Sequence, residues 1–180
     1  MNKQKNSILF LVIALGGFVI DIGSKLWAQS ALTQDYLDPA KVEPFTFRLT
    51  LAFNHGSAFG MFSGVSGGRW ILSVIGVAAM YFIYYLYRRP ESNHRLYLVG
   101  LALVAGGALG NLVDRIVFGK VTDFFQMYLF RSIAITWPWP TFNVADVLLL
   151  AGVGCLMIFS FMPESRGLWG NSKPEKVARK

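Results

Sequence analysis

The chain has 180 residues, of which 54% are hydrophobic and 15% aromatic, and its mean hydropathy of +0.45 is too high for a soluble domain. Its single cysteine, Cys155, excludes an internal disulfide. Its net charge of +7 lies at the ends of apolar blocks and not on a structured basic face. We therefore expect membrane lipids and no nucleic acid among its partners.

Four apolar blocks are long enough to cross a bilayer, which requires about 20 residues with a range of about 17–25. They cover residues 7–28, 70–87, 96–113 and 142–162. The first block is too long for a cleaved signal sequence and is interrupted near its end by Asp21 and Lys25, so we interpret it as a retained helix. The blocks predict one mainly α, integral membrane domain over residues 1–180 with four transmembrane helices.

Basic residues precede the first block, separate the second from the third, and follow the fourth. Because basic loops stay in the cytoplasm, this pattern places both termini there, with residues 163–180 as a basic cytoplasmic tail. The loops over residues 29–69 and 114–141 then face outward.

The first outer loop contains a strand-like pattern. From Pro44 to Phe53, large apolar residues alternate with mostly polar or small ones, which is typical of a half-buried strand with five large apolar side chains on one face. Such a face needs a partner, and the membrane surface or a lipid is the obvious one. We predict a small extracytoplasmic β-rich cradle between helices 1 and 2, which either caps the helices or holds a substrate.

The end of the third block is rich in glycine. Gly106 and Gly110 form a pair of small residues four positions apart, the spacing that lets two membrane helices approach closely. Close packing there would also bring polar groups together.

Four of the ten acidic residues lie inside or at the edge of apolar blocks: Asp21, Asp114, Asp123 and Asp146. Carboxylates next to hydrocarbon are costly, so such positions favour a functional hypothesis. If the third and fourth spans pack antiparallel, Asp123 and Asp146 come within reach of each other at the outer face. Two close carboxylates share one proton, which supplies both a base to activate water and an acid to protonate a leaving group.

Each carboxylate also has a structural interpretation that the sequence leaves open. Asp114 could pair with its neighbour Arg115, Asp146 could cap the fourth helix, and Asp123 could be a solvated loop residue. For Asp21 and Lys25, four residues apart, we prefer a structural ion pair that reaches the outer headgroups. The whole chain could instead be a proton-coupled transporter, or a non-catalytic assembly factor that uses its aspartates to hold helices together.

We predict no metal ion and no cofactor. The two histidines, His55 and His94, belong to no cluster with zinc-ligand spacing, and no nucleotide-binding glycine motif is present. A serine nucleophile at Ser57 would need His55 as its base, and no carboxylate evidently orients that histidine.

Five sequence blocks, in order, closely resemble the lipoprotein signal peptidases (signal peptidase II), which are aspartyl proteases of the bacterial inner membrane. The blocks are Asp21-Ile-Gly-Ser-Lys25, Asn54-His-Gly-Ser-Ala-Phe59, Gly106-Gly-Ala-Leu-Gly-Asn-Leu-Val-Asp-Arg115, Val121-Thr-Asp-Phe124 and Phe142-Asn-Val-Ala-Asp146. The first block departs from the family at Ile22, commonly glutamine, and at Ser24, usually threonine.

The resemblance implies an endopeptidase that removes the signal peptide of a prolipoprotein just before a cysteine already carrying diacylglycerol. It implies that Asp123 and Asp146 are the catalytic pair, near the outer, periplasmic face of the inner membrane. It further implies a set of residues that bind substrate or support the pair: Asn54, Gly56, Asn111, Asp114, Arg115 and Asn143. Asp21 and Lys25 remain structural polar residues in this interpretation.

Overall fold

A computed structural model of the chain describes residues 3–35, 45–56, 67–128 and 139–162. Within these ranges the α-helices are Lys3–Ala31 (α1), Gly68–Tyr87 (α2), Arg95–Val117 (α3) and Val144–Ser160 (α4), and a short 3-10 helix over Pro90–Asn93 joins α2 to α3. The strands Thr46–Asn54 (β1), Val121–Tyr128 (β2) and Trp139–Phe142 (β3) form one antiparallel sheet in the order β1-β2-β3. The protein is mainly helical, as predicted.

The helix lengths fit a membrane protein, with corrections at their ends. α1, α2 and α3 are each long and apolar enough to cross a bilayer, whereas α4 is a shorter apolar helix of 17 residues. It begins later than the predicted boundary at 142 because Phe142 belongs to β3. By contrast, α1 continues to Ala31 and α3 to Val117, past the predicted ends at 28 and 113. The proposed tail over 163–180 lies outside the described residues.

α3 is the central helix. It packs against α4, α1 and α2, and 61% of its most apolar stretch is buried, compared with 11% for α1 and 17% for α2. The outer helices therefore expose large apolar side chains along their length, for example Val19, Phe82 and Leu150. In water such a surface would aggregate, so these side chains are suited to contact lipid.

Glycines on α3 permit the close approach of α1, which confirms the predicted packing role of Gly106 and Gly110. A Cβ atom on Gly106 would lie 2.7 Å from the carbonyl oxygen of Ala14, and one on Gly110 would overlap the carboxylate of Asp21. The absence of a side chain at position 110 is thus what allows an aspartate on α1 to enter the space between the helices.

We expect Gly110→Ala to destabilise the protein by about 1–3 kcal/mol, because the added methyl group displaces the buried Asp21 carboxylate. Thermal unfolding in detergent micelles measures the change. Gly154→Ala on α4 is the matched control, since a Cβ atom there has no neighbour within 4 Å. Equal unfolding temperatures for the two variants would contradict the packing role.

The sheet joins two separate parts of the chain. β1 follows α1, as the predicted cradle between helices 1 and 2 requires, but β2 and β3 both lie between α3 and α4. The strand prediction for the first outer loop is therefore confirmed, and its assignment of the whole β region to that loop is incomplete. Pairing of β1 with β2 links the end of α1 to the end of α3.

A bulge in β1 changes which side chains are exposed. Between Leu49 and Ala52 the strand register shifts, and β1 has one more residue there than β2. Phe47 and Leu49 are 56% and 40% exposed, whereas Leu51 is only 8% exposed. The prediction of five large apolar side chains on one face is wrong, because the extra residue interrupts the period of two.

Candidate active site

α3 and α4 bring a carboxamide and a carboxylate together near the sheet. Asn111 lies in the second half of α3 and Asp146 in the first turn of α4. The Asn111 Nδ2 atom donates a hydrogen bond to Asp146 Oδ1 at 3.0 Å. This contact depends on the close packing of α3 against α4. From the sequence, that packing was the predicted condition for a polar site between the third and fourth spans.

Asn143 connects the two predicted catalytic aspartates. As the N-cap of α4, it accepts a hydrogen bond from the backbone N–H of Asp146 at 3.1 Å through Oδ1, and its own backbone N–H donates to Asp146 Oδ2 at 3.1 Å. Its Nδ2 atom donates to Asp123 Oδ1 at 2.7 Å. The capping interpretation of Asp146 is confirmed, and the same capping asparagine also contacts Asp123.

Asp123 is a strand residue and not a solvated loop residue. It lies in β2 and is only 2% exposed, so the loop interpretation is wrong. The sequence did not reveal β2, whose residues contact α1, α3 and both other strands. Pairing on both edges of β2 is what buries the carboxylate.

Burial, and next the negative charge of Asp146, raises the pKa of Asp123 to about 7. The hydrogen bond from Asn143, the charge of Lys25 and the hydrogen bond from Asn54 act in the opposite direction. Below pH 7 Asp123 therefore holds its proton, which is the state required of the acid in a pair of carboxylates that share a single proton.

Asn54 reaches Asp123 from the end of β1. Its Oδ1 atom accepts a hydrogen bond from the backbone N–H of Gly56 at 3.0 Å. Because the amide oxygen is engaged there, the amide NH₂ group is the part of Asn54 that serves the hydrogen bond to Asp123. Gly56 therefore fixes the orientation of Asn54, and Ser57 lies outside the described residues.

A buried cluster of charged groups lies beneath the aspartates. Lys25 is 1% exposed, and its Nζ atom lies 2.7 Å from Asp21 Oδ2 and 3.3 Å from Asp114 Oδ2. It also donates to Asn111 Oδ1 at 2.9 Å. The predicted pairing of Asp21 with Lys25 is confirmed, but the pair does not extend to the headgroups. It is buried because its other partners come from α3.

The cluster holds both halves of the site. Asp21 Oδ1 accepts the backbone N–H of Ala145 at 2.7 Å, directly before Asp146 in the chain. Asp114 Oδ2 accepts the backbone N–H of Thr122 at 2.9 Å, directly before Asp123. One lysine and its two carboxylates thus position the backbone next to each predicted catalytic aspartate.

Within the described part of the chain, Arg115 makes no close ion pair with Asp114, contrary to the structural interpretation of the sequence. Its Nη1 atom donates to the backbone carbonyl of Asn111 at 3.1 Å, and it lies close enough to Asp146, Asp123 and Asp114 to interact electrostatically. Among the described residues, its buried Nε atom has no hydrogen-bond partner. Arg115 therefore contributes a positive charge to the site.

Thr122 is a buried residue of the site that sequence reasoning missed. Its hydroxyl accepts a hydrogen bond from Gln29 Nε2 at 2.7 Å, and its carbonyl oxygen accepts one from Asn143 Nδ2 at 3.3 Å. Together with its N–H bond to Asp114, these contacts connect α1, α3 and α4 to β2. The one signal in the sequence was the position of Thr122 directly before Asp123. Its role becomes clear only because both residues lie in β2.

A family model described as signal peptidase (SPase) II matches residues 13–162, which include every residue of the site described above. The chain belongs to the signal peptidase II family. Members of this family are aspartic-type peptidases, which agrees with two aspartates that both accept hydrogen bonds from Asn143.

Two similar proteins cover 89% and 71% of the chain. A lipoprotein signal peptidase of Symbiobacterium thermophilum is 36% identical over 160 residues, covering 89% of this chain and 99% of the relative. One of Burkholderia thailandensis is 40% identical over 129 residues, covering 71% and 72% respectively.

Two solved structures share the fold. A bacterial membrane enzyme determined by the in meso method at 2.3 Å resolution has a TM-score of 0.68 and 25% identity, covering 94% of each chain. A second bacterial membrane enzyme, at 1.9 Å resolution, has a TM-score of 0.70 and 25% identity, covering 86% of this chain and 94% of its own. The signal peptidase II chain is therefore a membrane enzyme by sequence family and by fold.

Proposed function

We propose that this signal peptidase II removes the signal peptide from a diacylglyceryl-modified prolipoprotein, with Asp123 and Asp146 as its catalytic pair. The observation that carries the proposal is the position of Asn143, which donates hydrogen bonds to both carboxylates. Asn143 holds the two carboxylates close together, and burial with the nearby charge of Asp146 leaves a proton on Asp123 near neutral pH, which is the state that peptide hydrolysis by aspartates requires.

Asp146 is the base of the proposed pair. Its two carboxylate oxygens accept hydrogen bonds from Asn111 Nδ2 and from the backbone N–H of Asn143, and it lies at the N-terminus of α4, where negative charge is favoured. Asp123 carries the proton, in keeping with its raised pKa. The sequence alone left this order open.

In the proposed reaction, Asp146 takes a proton from a water molecule whose oxygen attacks the carbonyl carbon of the scissile peptide. Asp123 gives its proton to the carbonyl oxygen, which yields a neutral tetrahedral diol. Collapse of the diol returns that proton to Asp123, and Asp146 transfers its proton to the departing nitrogen as the C–N bond breaks. The products are a carboxylic acid and a free amine, and both aspartates are ready for another cycle.

Arg115 and Asn54 are the groups that would position the substrate peptide. The positive charge of Arg115 interacts with both aspartates and would attract the carbonyl oxygen of a substrate peptide. Asn54, at the end of β1, forms a hydrogen bond with Asp123, so it lies at the side of the site that borders the sheet.

The apolar surface of the sheet favours a substrate that carries a lipid. Phe47 of β1, Phe125 of β2 and Phe142 of β3 form a row with ring centroids 5.6 and 5.3 Å apart, next to the exposed Leu49. This apolar surface is continuous with the strand that carries Asp123. A lipid-anchored peptide that arrives laterally from the bilayer would meet this surface before it meets the aspartates.

We further propose that the site lies near the periplasmic face of the inner membrane, with both termini in the cytoplasm. The basic residues that flank the helix ends favour this orientation. All four apolar-segment carboxylates gather at the end of the bundle where α1 and α3 end and α4 begins. A proton-coupled transporter would instead place them near the middle of the membrane.

Purified enzyme in detergent should cleave a diacylglyceryl-modified precursor and leave the same precursor without its lipid intact. Gel mobility and mass spectrometry of the products report the cleavage and its position. Equal cleavage of both precursors would overturn the lipid requirement. No cleavage of either, by enzyme that elutes as a single species, would overturn the proposed function.

The cleavage rate should fall as the pH rises through about 7, where Asp123 loses its proton. The sign follows from the raised pKa of Asp123: below it Asp123 carries the proton that the reaction needs, and above it Asp123 is ionised and no acid remains. Initial rates between pH 5.5 and 8.5 check this, with circular dichroism at each pH as the control for folding. A rate that stays level or rises across this range would contradict the assignment of Asp123 as the acid.

A further inference from the structure

The basic end of the bundle, opposite the aspartates, contains a polar cavity of about 510 Å³. It lies where α1 begins and α2 ends, and its lining includes Asn6, Ser7, Tyr87, Arg88, Arg89 and Asn93. Its walls are held by hydrogen bonds, with Asn6 Nδ2 donating to Asn93 Oδ1 at 3.4 Å and the hydroxyls of Ser7 and Tyr87 2.7 Å apart. From Asn6 to Asp21 the helix rises about 22 Å, so this cavity is remote from the candidate active site.

A second cavity, of about 250 Å³, lies next to the first, in the apolar part of the bundle. It lies between α1 and α2 on the surface of α3, and its lining includes Leu11, Met80 and Ala105. Tyr87 lines both cavities, and its ring lies 4.7 Å from that of Phe10, measured between centroids. The two cavities are therefore neighbours: the first, which we call the mouth, is lined by polar and basic residues, and the second is lined mostly by apolar ones.

The arginines at the mouth are oriented by tyrosines of α2. Arg88 donates to the Tyr84 hydroxyl at 3.2 Å and lies 5.9 Å from the centre of that ring, and Arg89 lies 5.3 Å from the centre of the Tyr85 ring. Guanidinium groups held against aromatic faces lose less freedom when they bind an anion, and they bind phosphate with two parallel hydrogen bonds.

We propose that the two cavities together bind one anionic phospholipid from the leaflet at the basic end of the bundle. Arg88 and Arg89 bind its phosphate, and one of its acyl chains lies in the apolar groove between α1 and α2. Charge excludes the alternative of a positively charged peptide segment at this mouth. A phospholipid fits better than a free phosphate ion, because a phosphate ion would occupy only the polar cavity and leave the apolar groove empty.

Native mass spectrometry of the purified full chain in detergent, with added phosphatidylglycerol, tests the proposal. We expect one tightly retained phosphatidylglycerol per chain, and weaker retention of phosphatidylethanolamine with the same acyl chains. The double variant R88Q/R89Q should reduce the affinity by roughly 10- to 30-fold, since each cation near the lipid surface contributes about a factor of five. Arg95→Gln, at the same end but not among the residues lining either cavity, is the matched control and should retain the lipid.

The apolar half of the site has its own variant. Leu11→Trp should fill the groove and reduce lipid retention by about tenfold, whereas Val12→Trp, at an exposed neighbouring position outside the groove lining, should not. Thermal unfolding of all variants in detergent serves as the folding control.

Unchanged retention in both R88Q/R89Q and Leu11→Trp would overturn the proposal. Equal retention of both lipids would reduce the site to nonspecific contact with the lipid belt and would also overturn it, as would efficient displacement of phosphatidylglycerol by millimolar inorganic phosphate. These measurements read lipid binding directly, so they stand independently of the catalytic assignment.

Discussion

Asp123→Asn and Asp146→Asn should each lower the rate of precursor cleavage by about 100- to 10,000-fold, in line with the usual contribution of a general acid or base. An amide at position 146 cannot take a proton from water. At position 123 it cannot supply one to the carbonyl oxygen. Because the two groups act as a unit, the double variant should be hardly less active than either single variant.

Both variants should still fold and enter the membrane. Asparagine is nearly the same size as aspartate, and at position 123 its oxygen still accepts the hydrogen bond from Asn143. Asp35→Asn is the control, because this carboxylate is 63% exposed and pairs with Arg48, away from the site. Processing at a near-normal rate by either Asp123→Asn or Asp146→Asn, with a fully active control, would refute the proposed catalytic pair.

Lys25→Met should destabilise the protein by about 3–5 kcal/mol, the usual cost of removing one partner from a buried ion pair. Methionine fills a similar volume, so the loss is mainly electrostatic. Without Nζ, the buried carboxylates of Asp21 and Asp114 lose the cation that lies 2.7 and 3.3 Å from them. Asn111 also loses a hydrogen-bond donor, which weakens its hold on Asp146.

Chemical or thermal unfolding in a mild detergent measures this loss. Lys5→Met removes an exposed lysine of the same helix at its other end and should leave the stability unchanged within about 0.5 kcal/mol. If Lys25→Met unfolds at the same temperature as Lys5→Met, the buried cluster does not stabilise the fold, and its role in positioning the two backbone segments has to be abandoned.

The membrane helices could be predicted from the sequence because hydrocarbon imposes a simple rule on length and polarity. Their ends could not, because tertiary contacts decide them. α3 continues past the predicted end at residue 113, since Asp114 is stabilised there by Lys25 of α1 and by the backbone of β2. α4 begins at residue 144, because Asn143 caps it and Phe142 pairs with Phe125 in the sheet.

The sheet shows where local patterns are insufficient. β1 carries a clear alternation and was predicted, but the bulge after Leu49 is a property of its pairing with β2. β2 has a mostly apolar run in which Thr122, Asp123 and Gln126 interrupt any regular period, and only its pairing with two other strands makes it a strand. Long-range pairing of this kind leaves no signal in a single sequence.

The sequence predicted most residues of the candidate site, but it did not predict most of the contacts between them. The aspartates and asparagines stood out because polar groups beside apolar blocks are costly. Lys25 was expected at the membrane surface because long cationic side chains usually reach water. Its burial depends on a second carboxylate, Asp114, which is 89 positions away in the chain and which local spacing therefore could not connect to it.

The shared proton can be observed directly by infrared difference spectroscopy of the enzyme in detergent between pH 5.5 and 8.5. We expect a protonated carboxyl band that disappears with a midpoint near pH 7 and that is missing from Asp123→Asn. The band should persist in Lys5→Met, which leaves the site intact. A spectrum without such a band at pH 5.5, or a band unaffected by Asp123→Asn, would contradict the account of two aspartates that hold one proton between them.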